Sequence, residues 1–294
     1  MRLRKERRLR LACEFSSTQV VAARADASGA IDLSAVRALR PGALIPSLTG
    51  NNLLAAEVVK TVLQEAWSGV GGRRQDAVLV LPDAACRVVL LDFDGLPEKR
   101  EEADAVVRFR LKKSLPFDVE KARVSWQAQR VADKLNVLAA VVLISVLEEY
   151  EGVVRAAGSS PGVVLPSMLA SLGLVDAQRP TLAIKVDAST TGIAIVNQGA
   201  VLLIRTLDHS SEQPPQAVQL AEDVYSSLVF FQDSYGTRVD KILVGGTVEV
   251  GELEAALLEA TGLRAEELTA VSPLASFASR QRVSLGAVAG ALTN

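Results

Sequence analysis

Two parts of this 294-residue chain follow the same plan, and that repetition restricts the folds it can adopt. In the first half an apolar segment, Leu11–Phe15, precedes the polar turn Ser16–Thr18 and a second apolar segment. In the second half Thr181–Asp187 precedes a similar hydroxyl-rich turn, Ser189–Gly192, and another apolar segment. In both halves a strand, a helix and a further strand follow. This order predicts an α/β protein with a duplicated topology.

Apolar spacing locates the longer elements between these turns. Residues 135–146 are mostly apolar and predict a strand, and a short helix over 148–157 closes at Gly158. Residues 98–115 predict a helix that Pro116 ends. Two more helices are predicted from apolar stripes at helical spacing: Leu54, Ala55, Val58, Val62 and Ala66 after a capping Asn52, and Ala221, Val224, Tyr225, Leu228 and Phe231.

The composition excludes several classes of function. A net charge of −2 gives no reason to expect nucleic-acid binding. Cys13 and Cys86 both lie in apolar runs, so we expect a reducing cytoplasm rather than a disulfide framework. The longest apolar run, 137–146, is far shorter than the ~20 residues that span a bilayer. We therefore expect a soluble protein.

Positive charge is concentrated in two places. Residues 1–8 form a basic leader without the apolar core of a signal peptide, and we expect it to be flexible. The alternative is contact with an anionic membrane surface, where each basic side chain contributes about 1 kcal/mol. The basic helix end Arg108–Lys113 complements the helix dipole or, alternatively, contacts acidic lipids or an acidic partner.

Common catalytic motifs are missing from the sequence. The single histidine, His209, lies in a polar loop beside Asp208 and Ser210, where a solvated histidine is the expected interpretation. Two cysteines and one histidine do not supply a zinc site. Neither phosphate-binding glycine motif, the P-loop or the dinucleotide fingerprint, is present. We expect no catalytic residues.

Four segments, in order, resemble one known family. They are Leu81–Pro97, the helix and Leu-Pro-Phe turn of Arg108–Asp118, the helix Glu149–Gly158, and the small-residue segment Ser284–Leu292. Together they resemble PilM, a type IV pilus assembly protein of the actin/Hsp70/sugar-kinase superfamily. The resemblance runs from about residue 9 to the end.

The resemblance implies a two-lobed actin-like (ribonuclease H-like) ATPase fold. The first lobe is then expected over 9–175, with a small inserted subdomain at about 83–165. The second lobe is expected over 176–275, and 276–294 is expected to form a C-terminal helix that returns to the first lobe.

The resemblance also implies partners and a location. PilM-like proteins are cytoplasmic scaffolds, peripheral at the inner membrane, that bind the N-terminal cytoplasmic tail of PilN and contact other platform proteins. The cytoplasmic part of GspL in type II secretion is a close relative, so a secretion role is an alternative. Two further alternatives are an active ATPase or small-molecule kinase of the superfamily, and an actin-like polymeriser.

ATP with magnesium is the cofactor implied, held between two glycine-containing hairpins. The first family hairpin begins Asp-Ile-Gly and ends in lysine; here Glu14, Ser16 and Val21 stand at those positions. In the second, Asp187 matches the aspartate, although an ungapped match places Lys185 there. The candidate nucleotide-binding residues are Glu14, Ser16, Ser17, Thr18, Asp187, Ser189, Thr190, Thr191, Gly245 and Gly246. Three alternatives stay open: binding without hydrolysis, no nucleotide, and a competent ATPase.

Overall fold

The computed structural model describes residues 9–71, 75–131, 134–176, 178–209, 216–247, 250–270, 274 and 284–293. The basic leader and residues 275–283 lie outside this part of the chain. No helix in the described ranges is both long enough and apolar enough to cross a membrane.

The first lobe is built on a five-stranded sheet in the order β3-β2-β1-β4-β8. Strand β1 is antiparallel to β2 and parallel to β4. One face of this sheet packs against α1 and α3. The fully buried side chains of Trp67, Leu63 and Tyr150 lie at this contact. The elements are β1 (Leu11–Phe15), β2 (Gln19–Ala25), β3 (Ile31–Ala38), α1 (Ala56–Val70), β4 (Asp76–Leu81), α3 (Ile144–Ala156) and β8 (Ser160–Pro166).

The second lobe repeats this sheet in the order β11-β10-β9-β12-β13. Strand β9 is antiparallel to β10 and parallel to β12, as β1 is to β2 and β4. The duplicated topology expected from the sequence is therefore confirmed. The elements are β9 (Thr181–Val186), β10 (Thr190–Asn197), β11 (Ala200–Asp208), α5 (Ala217–Tyr235), β12 (Lys241–Gly246), α6 (Val250–Thr261) and β13 (Ala265–Glu267).

A separate three-stranded sheet, in the order β5-β7-β6, forms the inserted subdomain. Its elements are β5 (Arg87–Phe93), α2 (Arg100–Leu111), β6 (Ala122–Val131) and β7 (Lys134–Leu143). The predicted insert of 83–165 extends too far, because α3 packs on the first-lobe sheet and β8 pairs with β4 within it. We call the segment 87–143 the insert from here on.

The last described helix, α7 (Gly286–Thr293), lies between the lobes. It packs with first-lobe strands and with the short helix α4 (Ser167–Ser171), and its apolar cluster also includes Leu243 and Leu268 of the second lobe. The helix approaches α4 so closely that a Cβ at Gly290 would lie 2.1 Å from the carbonyl oxygen of Ala170. The small residues of α7 therefore make this close contact possible.

Two predicted helical stripes are wrong in part. Helix α1 begins at Ala56, so Leu54 lies before it and is exposed, and the buried residues are Val59, Leu63, Ala66, Trp67 and Val70. In α5 the predicted Tyr225 is half exposed, whereas Leu220 and Ser227 are buried.

Two element boundaries and one predicted cap also differ. The apolar run 135–146 contains both the end of β7 and the start of α3, which begins at Ile144 rather than at 148. Helix α2 ends at Leu111, before the predicted 115. Asn52 does not cap α1; its Oδ1 accepts hydrogen bonds from the Ser47 N–H and the Tyr150 hydroxyl.

Candidate functional site

A buried ion cluster lies where the first strands of the two lobes end. The Nζ atom of Lys185, on β9, is 3.1 Å from Oε1 of Glu14 on β1 and 2.5 Å from Oδ2 of Asp187, which follows β9. Glu14 and Lys185 are both buried. Because Glu14 belongs to the first lobe and Lys185 to the second, the cluster joins the lobes through opposite charges.

The first lobe surrounds this cluster with further polar groups. The hydroxyl of Ser167, the first residue of α4, donates a hydrogen bond to Oε1 of Glu14. The buried carboxylate of Asp83, just after β4, accepts the Met168 N–H at 3.0 and 3.1 Å from its two oxygens. An acidic group at a helix N-terminus is favourable. These contacts fix the start of α4 against the ion cluster.

Burial and charge act against each other on the ionisable groups. Burial disfavours the ammonium of Lys185, but Asp187, Glu14 and Asp83 together raise its pKa above the ordinary value. Burial raises the pKa of Glu14, and Lys185 opposes that rise. Burial likewise raises the pKa of Asp83 to about 7, although Lys185 lowers it. The lysine therefore stays protonated and supplies the positive charge that the carboxylates need.

The two hairpin turns are closed by their own hydrogen bonds. In the first, the Ser16 hydroxyl accepts from the Gln19 N–H at 3.1 Å, and the Ser16 N–H donates to the Gln19 carbonyl at 3.0 Å. In the second, the Asp187 N–H donates to the Thr190 carbonyl at 2.8 Å. Hydroxyl-bearing turns form such bonds without any ligand.

The remaining hydroxyls do not converge on one point. Thr18 is exposed, and Ser17 Oγ is buried without a hydrogen-bond partner in the described part of the chain. Thr191 Oγ1 lies 3.3 Å from Nε2 of His209. His209 is therefore partly packed against β10, contrary to the solvated loop expected for it.

The glycine pair at the end of β12 has a packing role. A Cβ at Gly246, where φ is +107°, would lie 2.0 Å from the carbonyl oxygen of Val186 on the paired strand β9. A Cβ at Gly245 would lie 3.0 Å from Leu268. Neighbouring protein atoms leave too little room for a side chain at either position. Packing alone therefore explains both glycines, and their presence does not point to a bound phosphate.

The space at the cluster is small. The cavity lined by Glu14, Ser16, Lys185, Asp187 and Gly246 has a volume of about 10 Å³. That is roughly the space of one water molecule. Of the ten candidate residues, Glu14, Ser16, Asp187 and Gly246 line this cavity, whereas Ser17, Thr18, Ser189, Thr190, Thr191 and Gly245 do not.

Magnesium with a nucleotide does not fit this arrangement. Mg²⁺ requires oxygen ligands at about 2.0–2.1 Å, but the Glu14 and Asp187 carboxylates both contact the Lys185 ammonium. A cation at that position would be repelled by the lysine. Within the described ranges no group of three or more acidic, histidine or cysteine side chains is placed to hold a metal ion.

Sequence reasoning missed Lys185 as a site residue. It is the one charged residue in the strand Thr181–Val186, which is buried throughout. A lysine in a buried strand is expected to have an acidic partner, and that rule could have identified it. Ser167 and Asp83 give no comparable signal, because their positions beside Glu14 depend on the tertiary fold.

The repeated sheets and the polar cleft between them define the class: the chain has the actin-like ATPase fold. No protein-family model and no curated protein sequence matches it. Within this class the chain is similar to the structure of the PilM-PilN type IV pilus biogenesis complex, with a TM-score of 0.78 and 17% identity over 97% of this chain and 96% of that chain.

Two other solved structures are similar over most of their length. The cytoplasmic domain of EpsL, an inner-membrane component of the type II secretion system of Vibrio cholerae, matches with a TM-score of 0.57 and 12% identity, covering 95% of this chain and 94% of that chain. The ethanolamine utilization protein EutJ of Carboxydothermus hydrogenoformans matches at 0.53 and 10%, covering 97% and 89%. The predicted resemblance to PilM is thus confirmed as a likeness of fold.

Proposed function

We propose that this protein is a cytoplasmic scaffold of type IV pilus assembly, peripheral at the inner membrane, that binds the N-terminal cytoplasmic tail of a PilN-like membrane protein. The observation that carries the proposal is the likeness to the PilM-PilN complex over nearly the whole of both chains. The TM-score of 0.78 exceeds the 0.57 of the EpsL domain and the 0.53 of EutJ, although those structures cover similar shares of this chain.

The insert is the part of the protein that we propose for the tail. Strand β6 is an outer strand of its sheet, and an extended peptide binds such an edge through backbone hydrogen bonds. On α2, Val106 and Phe109 are partly and largely exposed and lie three residues apart, so they are neighbours on the helix surface. Phe109, at 69%, is the most exposed large apolar side chain in the described ranges. An edge and an apolar surface suit a short peptide.

The cleft chemistry supports a scaffold rather than an enzyme. A kinase or ATPase of this superfamily needs free carboxylates for magnesium, and here Glu14 and Asp187 are ion-paired with Lys185. The ATP and magnesium implied by the resemblance therefore have no evident place beside the hairpins.

The direct test is binding of a synthetic peptide, the cytoplasmic tail of the PilN-like protein from the same organism, measured by fluorescence polarisation. A scrambled peptide of equal composition is the control. We expect saturable binding of the tail and none of the scrambled peptide. A tail that fails to bind under conditions where the chain is folded contradicts the proposal.

Hydrogen–deuterium exchange with and without the tail then locates the contact. We expect protection within the insert, and Phe109→Ser is expected to weaken binding by roughly tenfold, the loss of a moderate hot spot. Tyr225→Ser, a half-exposed aromatic of the second lobe, is the matched control and leaves binding unchanged. Protection confined to the second lobe contradicts the assignment to the insert.

A type II secretion role is the second candidate, because the EpsL domain shares the fold. It is distinguished by offering the chain both tails, one from a pilus platform protein and one from a secretion platform protein. Preference for the secretion tail would favour this alternative.

A further inference from the structure

The cation at the centre of the cleft belongs to the protein itself. Lys185 reaches Glu14 of the first lobe and Asp187 of its own lobe through a single ammonium group. We infer that Lys185 is a built-in cation that occupies the place of a magnesium ion between the lobes and holds them together without nucleotide.

The geometry supports a bridging role rather than a chance surface pair. The side chain of Lys185 is only 4% exposed and that of Glu14 only 8%. Glu14 also accepts a hydrogen bond from Ser167, so its carboxylate is held in place from the first-lobe side. Removing one member of such a buried pair leaves an uncompensated charge, which is strongly destabilising.

The small cavity is consistent with a permanently filled position. About 10 Å³ remains beside the ammonium, roughly the space of one water molecule. The positive charge between the Glu14 and Asp187 carboxylates is already part of β9, so we expect the lobe arrangement not to require a bound cation.

A second contact joins the lobes at the insert. The side-chain amide of Gln129, on β6, donates to the Val201 carbonyl and accepts from the Val201 N–H at 3.1 Å. Val201 is on β11 of the second lobe, so the insert is tied to that lobe by two hydrogen bonds. The two lobes are therefore connected both at the ion cluster and at the insert.

The test is thermal unfolding of the full chain and its variants. Lys185→Met keeps an unbranched side chain, one atom shorter, but removes the charge, and we expect its unfolding midpoint to fall on the order of 10 °C. Lys241→Met is the matched control, since Lys241 is a half-exposed lysine of β12 paired with Glu266 at 2.8 Å. Its midpoint is expected to change by roughly 2 °C or less, as for an exposed pair.

Two further measurements separate charge from packing. In the double variant Glu14→Gln with Lys185→Met, the uncompensated first-lobe carboxylate is gone, so we expect recovery of much of the loss. This double variant also serves if Lys185→Met alone does not fold. The unfolding midpoint of the unsubstituted chain is expected to stay the same with magnesium and ATP.

Three results would overturn the inference. One is a Lys185→Met midpoint equal to that of the unsubstituted chain. Another is a double variant no more stable than the single one. The third is a rise in the midpoint of the unsubstituted chain with magnesium and ATP, because a ligand that binds the folded state must stabilise it.

Discussion

Replacing Gly290 by alanine should destabilise the contact between the last helix and the first lobe. A Cβ at this position would lie 2.1 Å from the carbonyl oxygen of Ala170 and 3.3 Å from Cα of Ser171. Both neighbouring atoms belong to the backbone of α4 and cannot rotate away. Since ordinary contact begins at 3.4 Å, α7 and α4 would have to separate by about 1 Å.

The expected magnitude follows from two opposing effects. Overpacking a tight contact costs about 3 kcal/mol at the upper end of its usual range. Alanine is better than glycine inside a helix by about 1 kcal/mol, which offsets part of that cost. We expect a net loss of about 2 kcal/mol in the free energy of unfolding, or roughly 4–8 °C in the unfolding midpoint.

The assay is thermal or denaturant unfolding beside two glycine-to-alanine controls. Gly286→Ala, in the same helix, places its Cβ 3.6 Å from Leu268, an ordinary contact. Gly152→Ala, on the exposed face of α3, meets nothing within 4 Å. Neither control should lower stability. If Gly290→Ala is as stable as Gly286→Ala, the reasoning from close approach is wrong.

Three further predictions concern groups that hold the lobes and loops in place. Because burial raises the pKa of Asp83 from 3.8 to about 7, the folded state binds this proton more tightly than the unfolded state. Unfolding free energy should therefore fall as pH rises between these values, by up to roughly 4 kcal/mol relative to Asp83→Asn, in denaturant titrations of both proteins. If stability depends on pH in the same way in Asp83→Asn and in the unsubstituted chain, the prediction is wrong. Glu14, Lys185 and Asp187 are present in both proteins and would then account for the pH dependence. Gln129→Ala should lose both hydrogen bonds to Val201 and lower the free energy of unfolding by about 1–2 kcal/mol. Hydrogen exchange in β11 should then become faster. Unchanged exchange in β11 would show that the contact between the insert and the second lobe is not stabilising. Glu149→Ala should speed exchange at residues 51–53, whose N–H groups donate to its carboxylate at 2.7–3.2 Å, whereas Glu148→Ala should not; equal exchange in both variants would contradict the role of this carboxylate.

Much of the fold could be predicted because it is encoded by local patterns. Apolar runs around short polar turns repeat in both halves, and the two sheets with the same strand order follow from them. A turn residue also marked one boundary: Gly158, with φ of +95°, follows the end of α3. The strands of the second lobe were found for the same reason.

Element boundaries failed where one apolar run serves two elements. Residues 135–146 pass from β7 into α3 without a polar break, and periodicity does not separate a buried strand from the start of a buried helix. The insert of about 83–165, which the family resemblance implied, extends too far for a different reason: it takes in α3 and β8 of the first lobe. The exposure of Tyr225 depends on which side of α5 meets the sheet, and tertiary packing decides that.

The candidate site was predicted in part. Two of the candidate residues, Glu14 and Asp187, lie together because both contact the ammonium group of Lys185. Among the hydroxyl groups expected to face phosphates, that of Ser16 closes a turn and that of Thr191 lies against His209, whereas Ser17 Oγ is buried without a hydrogen-bond partner in the described ranges. Lys185 was not identified as their central partner, because its contact with Glu14 joins residues far apart along the chain.

The central claim is that this protein captures a membrane-protein tail with its lobes already held in place. The most direct measurement is the dissociation constant of the PilN-like tail peptide with and without magnesium and ATP. We expect the same saturable binding in both conditions, because a ligand that does not bind either state shifts nothing. Tail binding that requires nucleotide, or a tail that does not bind at all, would contradict the account.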